Sequence, residues 1–400
     1  MEKKKLDLLA LASVPLVMTL GNSMLIPVLP IIEKEIDISS FQSSLIITVY
    51  SVVAILLIPF AGYLSDKIGR KKVMIPSLII TGIGGILAAY AAWQLEHPYW
   101  LILIGRFLQG IGASGAFPVV LPTVGDMFDD EEEVSAGLGI IETSNTFGKV
   151  LSPIIGALLA MLIWYMPFIA IPVFAAIAIL LVMVFVKTPK SDEKNQQTDS
   201  FMDRIKQVFR DNGRWLYAIF IIGCVNMFVL FGFLFHLSTL LEDEYQVEGV
   251  NKGLFLAVPL LFLCIASLIS GKKIGNNKVL MKWMIFTGNT FAVVSFLFVH
   301  SDMGVWLITG LLSVAGLGIG ISLPCLDALI TEGIKKEVRG TVTSLYSSMR
   351  FLGVAAGPPI IAILMEKALG MMYYFLAGVS IIALLITLFA IKPNKESASE

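Results

Sequence analysis

Long apolar runs separated by short polar connections fill the chain. A helix needs about 20 apolar residues to cross roughly 30 Å of hydrocarbon. Runs of that length occur twelve times, at about 7–32, 42–65, 73–93, 99–127, 136–161, 163–187, 216–241, 252–271, 279–300, 304–330, 340–365 and 371–391. A bilayer offers no water to backbone amides, so each run is expected to be a helix that satisfies its own N–H and C=O groups. The tightest connection, around Met161 to Met166, separates the fifth run from the sixth. The first run follows Lys3, Lys4 and Lys5 as a signal peptide would. It is too long for one, lacks a small-residue cleavage site and continues into a Pro-containing helix, so it is taken as a span.

The one long polar segment lies between runs six and seven and divides the spans six plus six. The expected domains are an N-terminal bundle over 1–187, a cytoplasmic linker over 188–215, and a C-terminal bundle with a short tail over 216–400. Within the linker, Phe201, Ile205, Val208 and Phe209 share a helical face among Arg204, Lys206 and Arg210, the pattern of a helix lying on a membrane surface. The halves also resemble one another. A shift of 205 puts Gly148 on Gly353 and Ser152-Pro153 on Gly357-Pro358, and a shift of 206 puts Lys67–Gly69 on Lys273–Gly275. Two matches at nearly one offset suggest a duplicated six-helix unit.

Composition agrees with the spans. The chain is 56% hydrophobic and 15% charged, with a mean hydropathy of +0.84, whereas soluble domains carry about a quarter charged residues. A net charge of -1 gives no sign of a nucleic-acid partner. Cys224, Cys264 and Cys325 all fall inside apolar runs, which supports neither a disulfide framework nor a metal site. No metal cluster, nucleophile–base pair or phosphate loop suggests an enzyme. With both termini cytoplasmic, the inner loops and tails hold 23 Lys and Arg, against Lys34, Lys252 and Lys367 outside. That bias sets the expected orientation of a multi-pass protein of the cell membrane.

Arg106, Lys149 and Arg350 are the basic residues inside runs, and ionisable groups there are costly enough to mark function. Glu142 is the one acidic residue well inside a span of the N-terminal half. A carboxylate in a low-dielectric cavity can load and unload a proton near neutral pH. Glu142, Asn145, Thr146 and Lys149 share a helix face, with Lys149 about 10 Å along the axis from Glu142. A purely structural Glu142, paired with Lys149 or Arg106, is the competing reading. On the same run Gly139, Gly148, Ser152 and Gly156 form a small-residue face against which another helix can pack closely, expected near the other half. Asn22, Asn226, His236, Ser347 and Ser348 add polar groups to the interior. Phe228, Phe231, Phe233 and Phe235 either line an apolar pocket or face lipid.

After the second run, Gly62-Tyr63-Leu64-Ser65-Asp66-Lys67-Ile68-Gly69-Arg70-Lys71-Lys72 resembles the loop signature of the major facilitator superfamily. In that family the loop is part of a conformational charge network. The resemblance implies that Arg70 is completed by Asp126, with Asp327 in the corresponding place of the second half. Arg106-Phe107-Leu108-Gln109-Gly110 resembles a motif of its proton-coupled drug antiporters, and Leu20 to Pro30 resembles their first-span signature. Gly139, Gly148, Ser152-Pro153 and Gly156-Ala157 resemble their fifth-span motif, with serine and alanine in place of two glycines. The first span departs from many relatives in having no carboxylate between Asp7 and Glu33.

The implied fold is all-α, with twelve transmembrane helices in two pseudo-symmetric bundles. The implied function is proton-coupled export of small amphiphilic compounds (multidrug efflux) by alternating access, with no cofactor beyond the proton gradient, by a monomer in the lipid bilayer. Glu142 and Arg106 would couple protons. Asn22, Asn145, Lys149, Asn226, His236 and Arg350 would line the substrate cavity. Gly62, Asp66, Gly69, Arg70, Asp126 and Asp327 would form the conformational network. Gly139, Gly148, Ser152, Pro153, Gly156, Gly353, Gly357 and Pro358 would pack helices. Three cavity cations against one carboxylate keep a second reading open, the export or flipping of an anionic metabolite, siderophore or lipid.

Overall fold

In a computed structural model, which describes residues 4–128, 131–186, 201–275, 277–300, 303–334 and 336–392, the apolar runs are helices and the described residues contain no strand. The first span is α1 (Lys5–Ser23), a 3-10 turn (Ile26–Val28) and α2 (Leu29–Glu35). The break falls at Pro27, which cannot donate to a helical bond. The others follow as α3 (Ser40–Ile68), α4 (Arg70–Gln94), α5 (Tyr99–Met127), α6 (Glu131–Leu162), α7 (Met166–Phe185), α8 (Phe201–Asp243), α9 (Gly249–Lys273), α10 (Lys278–Phe298), α11 (Val305–Gly333) and α12 (Lys336–Ala390).

Eleven helical stretches are long and apolar enough to cross a membrane, and the last of them, Val342–Ala390, runs for 49 residues. At 1.5 Å per residue that is about 70 Å, more than twice the hydrocarbon thickness. A non-helical residue at Ala368 (φ -157, ψ 49) divides it into the eleventh and twelfth spans. Between α3 and α4 the chain turns at Gly69 alone, whose φ of 103 is open to glycine and strained for other residues. That one position explains why the loop signature needs a glycine there.

The chain divides into two compact units, Met1–Asp203 and Arg204–Glu400. The first part of the expected linker, 188–200, lies outside the described residues. Its second part is helical and continues into the seventh span through a kink at Gly213 (φ 57). The side chains of Phe201, Ile205, Val208 and Phe209 also lie outside the described residues.

Within each unit the same pairs of helices meet through the same small residues. In unit 1 a methyl group on Gly148 would stand 3.2 Å from Leu16 Cδ1 and 3.3 Å from Thr19 Cβ of α1, and one on Gly156 would overlap the Met24 carbonyl. In unit 2 a methyl on Gly353 would overlap the Cys224 carbonyl of α8, and one on Gly357 would stand 2.7 Å from the Phe228 carbonyl. Thr19 and Cys224 differ by the same 205 residues as Gly148 and Gly353, so the weak internal repeat corresponds to repeated packing. Ser152, Pro153 and Pro358 are buried beside these glycines.

One expectation needs correction. Gly139 is exposed and a methyl there would meet nothing within 4 Å, so it packs no helix. The close contacts of the fifth span are with the first span of its own unit.

A second repeated device secures the helix ends. The last carbonyls of a helix lack intrahelical donors and attract cations. Lys71 Nζ donates to the Met183 and Val186 carbonyls at the end of α7, at 2.8 and 3.0 Å. Lys282 Nζ donates to the Leu388 carbonyl near the end of α12 at 2.9 Å.

Gly156→Val is expected to force α1 away from α6 and to destabilise the purified protein by about 1–3 kcal/mol, the usual scale of overpacking. Gly139→Ala should leave stability unchanged or raise it by up to about 1 kcal/mol through helix propensity. Thermal unfolding of both variants in detergent compares the two positions directly.

Candidate functional site

Arg106 stands in the middle of unit 1 with none of its surface exposed. Its Nε donates to the Ile46 carbonyl at 2.7 Å, one terminal nitrogen donates to the Asn22 Oδ1 at 2.5 Å, and the other reaches Gln109 Oε1 and, at 3.4 Å, the Gly21 carbonyl. The guanidinium also lies 4.6 Å from the centre of the Tyr50 ring. Every one of these acceptors is neutral. Three helices, α1, α3 and α5, converge on one charge, which only the planar fork of an arginine can serve in three directions. Gln109 is held by its oxygen, and its Nδ-equivalent amide nitrogen, Nε2, has no hydrogen-bond partner among the described residues.

Glu142 lies on α6, half-buried, and does not touch Arg106. Its described partner is the Asn145 amide, whose nitrogen stands 3.3 and 3.4 Å from the two carboxylate oxygens. Asn145 Oδ1 in turn accepts from the Thr19 hydroxyl at 2.6 Å. Thr19 and Asn22 are three residues apart on α1, one face of the helix. In place of the direct Glu142–Arg106 pair of the competing reading, two separate attachments to α1 are seen, through Asn145 and Thr19 on one side and Asn22 on the other. Lys149 is buried further along α6, and its carbonyl accepts from Ser152 Oγ at 2.9 Å.

The loop network is present as an ion pair. Arg70 Nε stands 3.0 Å from Asp126 Oδ2, and Arg70 also donates to Ser65 Oγ at 2.8 Å. Gly69 makes the turn and Gly62 lies within α3, while the Asp66 side chain lies outside the described residues. In unit 2, Asp327 pairs with Arg350 at 3.5 Å, and the guanidinium lies 5.7 Å from the Tyr346 ring centre. Arg350, expected in the cavity as a cation, thus has a carboxylate partner.

His236 is buried, with Nε2 2.7 Å from the Tyr373 hydroxyl and the two rings edge to face. Its Nδ1 has no hydrogen-bond partner among the described residues, and neither has the amide nitrogen of buried Asn226. Phe228, Phe231, Phe233 and Phe235 are all buried, so the phenylalanine run of α8 does not face lipid. Periodicity could not separate the two cases, since an all-apolar helix has no distinct inner face. Sequence reasoning also missed Tyr50, Thr19 and Tyr373, ordinary residues of apolar runs that gain a role through what packs on them. It further missed a buried Glu242–Lys252 pair at 2.6 Å, having counted Lys252 as a loop charge.

The chain matches the family described as "Major Facilitator Superfamily" over residues 11–358 and 282–400. It belongs to the major facilitator superfamily. Over 390 residues it is 54% identical to the bacillibactin exporter of Bacillus subtilis (strain 168), covering 97% of each chain. It is 24% identical to the class G tetracycline resistance protein of Vibrio anguillarum over 358 residues, 85% of each. To macrolide efflux protein A of Streptococcus pyogenes it is 25% identical over 339 residues, 82% of each. The crystal structure of the human organic anion transporter MFSD10 (TETRAN) has the same fold, with a TM-score of 0.75 and 18% identity, covering 96% of this chain and 99% of that one. This member of the superfamily is a multi-pass membrane transporter of the exporter type and not an enzyme.

Arg106→Met should cost about 1–3 kcal/mol for each buried acceptor it leaves without a donor, read as a lowered unfolding temperature in detergent. Asp126→Asn, at a pair whose carboxylate is 50% exposed, should change stability by no more than about 1 kcal/mol. A loss of transport in Asp126→Asn at unchanged stability would show the pair acting on conformation.

Proposed function

We propose that this chain exports bacillibactin or a siderophore like it from the cytoplasm, exchanging it for protons by alternating access. The observation that carries this reading is 54% identity to a bacillibactin exporter over 97% of both chains. Identity of that extent spans both bundles, the loop signature and the helices that bear Arg106 and Glu142. Lys149, a buried cation on the same helix as Glu142, suits a substrate rich in acidic oxygens better than a cationic drug. Multidrug efflux is the second reading, and it is supported by relatives at 24 and 25% identity.

Glu142 is the proton carrier in this scheme. It is half-buried, and its described contact is a neutral amide rather than a fixed cation. A carboxylate in that setting can lose and regain a proton without breaking an ion pair. Arg106 holds α1, α3 and α5 around one point and acts on Glu142 through α1. Both termini are cytoplasmic, as the excess of 23 Lys and Arg over three directs, and the working unit is a monomer that needs no cofactor besides the gradient.

Purified protein in liposomes with an imposed pH gradient tests the scheme. Gradient-dependent movement of bacillibactin is expected, with weaker movement of tetracycline or a macrolide. Equal rates with the gradient collapsed would remove proton coupling, and movement of the drugs alone would favour the second reading. Glu142→Gln should reduce gradient-driven transport by about a hundredfold or more, the scale of a lost proton-transfer group, while leaving binding in place.

A further inference from the structure

Thr19 departs from the rule that other threonines of this chain follow. A threonine hydroxyl on a helix ordinarily donates to the carbonyl four residues earlier on the same helix. Thr81, Thr123, Thr143, Thr146, Thr290 and Thr387 all do so, at 2.6 to 3.0 Å. Thr19 instead crosses to α6, where its hydroxyl donates to Asn145 Oδ1 at 2.6 Å. Gly148 leaves room for the crossing, since a methyl group there would stand 3.3 Å from Thr19 Cβ. Nearer the start of α1, Ser144 Oγ donates to the Ala12 carbonyl at 2.8 Å and ties the same two helices again.

That bond fixes the direction of the next one. With Oδ1 turned to Thr19, the Asn145 amide presents Nδ2 to Glu142, 3.3 and 3.4 Å from its two carboxyl oxygens. An amide nitrogen only donates, which suits a carboxylate and offers nothing to the O–H of a carboxylic acid. The described charged side chains on α6 and on the helices packed against it are Lys5 and Asp7 of α1, Arg106 and Asp126 of α5, and Glu133 and Lys149 of α6 itself. None of them bonds to Glu142.

A proton on Glu142 reverses the chain of bonds. The new O–H needs an acceptor, and Asn145 Oδ1 supplies it once the amide turns over and exchanges its two ends. Nδ2 then donates to the Thr19 oxygen, and the displaced Thr19 O–H falls back on the Pro15 carbonyl, four residues earlier on α1. Every group keeps a partner in both states, so no buried polar atom is stranded. Bonding back of this kind bends a helix. Pro15 already lacks the N–H that would donate to the Leu11 carbonyl, so α1 is weakened at this point. Beyond the bend lies Asn22, through which α1 holds Arg106.

We propose that Thr19 and Asn145 are positioning residues of proton coupling, a reversible hydrogen-bond relay in which the proton on Glu142 switches the Thr19 hydroxyl from α6 to its own helix and so bends α1. This rests on Glu142 being the proton carrier, not on the identity of the substrate. The relay gives the carrier a way to act on the helix that holds Arg106 without touching Arg106.

The test compares, in liposomes, gradient-driven transport with the exchange of labelled for unlabelled compound at equal pH on both sides, which needs no change of protonation. The compound is whichever of bacillibactin, tetracycline or a macrolide the wild type moves. Thr19→Val keeps the shape and removes the hydroxyl; it is expected to slow gradient-driven transport by about five- to tenfold, the rate equivalent of one hydrogen bond, and to leave exchange unchanged. Thr19→Ser restores a hydroxyl and should recover most of the rate. Added to Glu142→Gln, Thr19→Val should slow gradient-driven transport no further, since both act on one relay. A wild-type rate in Thr19→Val, an equal loss of exchange, or a serine variant that stays slow would overturn the relay and leave Glu142 as the carrier. Full gradient-driven transport in Glu142→Gln, or wild-type movement indifferent to the gradient, would remove the carrier and the relay with it. If Thr19→Val fails to fold, Thr19→Ala carries the same expectations, and failure of both to fold would reduce the hydroxyl to a structural tie and overturn the proposal.

Discussion

A guanidinium that never reaches water organises the N-terminal bundle. Arg106 needs an acceptor for each N–H in a place where no water can serve, and it draws them from a carbonyl of α3, a side chain of its own helix and the first span. Leaving such groups unmatched is costly, so the three helices cannot move apart independently while the charge stays inside. Close approach makes this possible. Gly110 lies directly on the Tyr50 carbonyl and Gly156 on the Met24 carbonyl, bringing backbones near enough for one side chain to bridge them.

The same logic of pairing runs through the rest of the chain with different partners. Near the loop signature the charges are partly exposed, and Arg70 with Asp126 forms a pair that solvent weakens. In unit 2, Asp327 and Arg350 make a looser contact, and Glu242 with Lys252 a tight and wholly buried one. Polar groups are thus graded from fully enclosed to half-solvated, and the half-solvated ones can change partners at least expense.

The fold was legible because lipid imposes a strict rule on sequence. Runs of apolar residues, a glycine at position 69 and a basic loop leave little choice of architecture. The site was legible only by residue type. A charge inside a span announces that it matters, but its partner is set by helix rotation, which a uniformly apolar sequence does not encode. So the buried charge of Arg106 can be read from the sequence but its partners cannot: α1 meets it through Asn22 and reaches Glu142 only by way of Thr19 and Asn145. Gly139 failed for a related reason. Nine residues from Gly148 is two and a half turns of helix, so Gly139 lies on the opposite face, while Gly137 beside it still meets Leu8 of α1. Lys252 was hidden because a lysine near a turn usually snorkels to water, and here a glutamate ten residues earlier keeps it inside.

The lysine clamps at the ends of α7 and α12 have a mechanical consequence. The polypeptide leaves each bundle at these points, toward the linker from α7 and toward the tail from α12. Lys71 is rooted in α4 and Lys282 in α10. Unwinding the last turn of either helix therefore also breaks a contact with its neighbour. The covalent tether between the bundles thus starts from a helix end held by two helices instead of one.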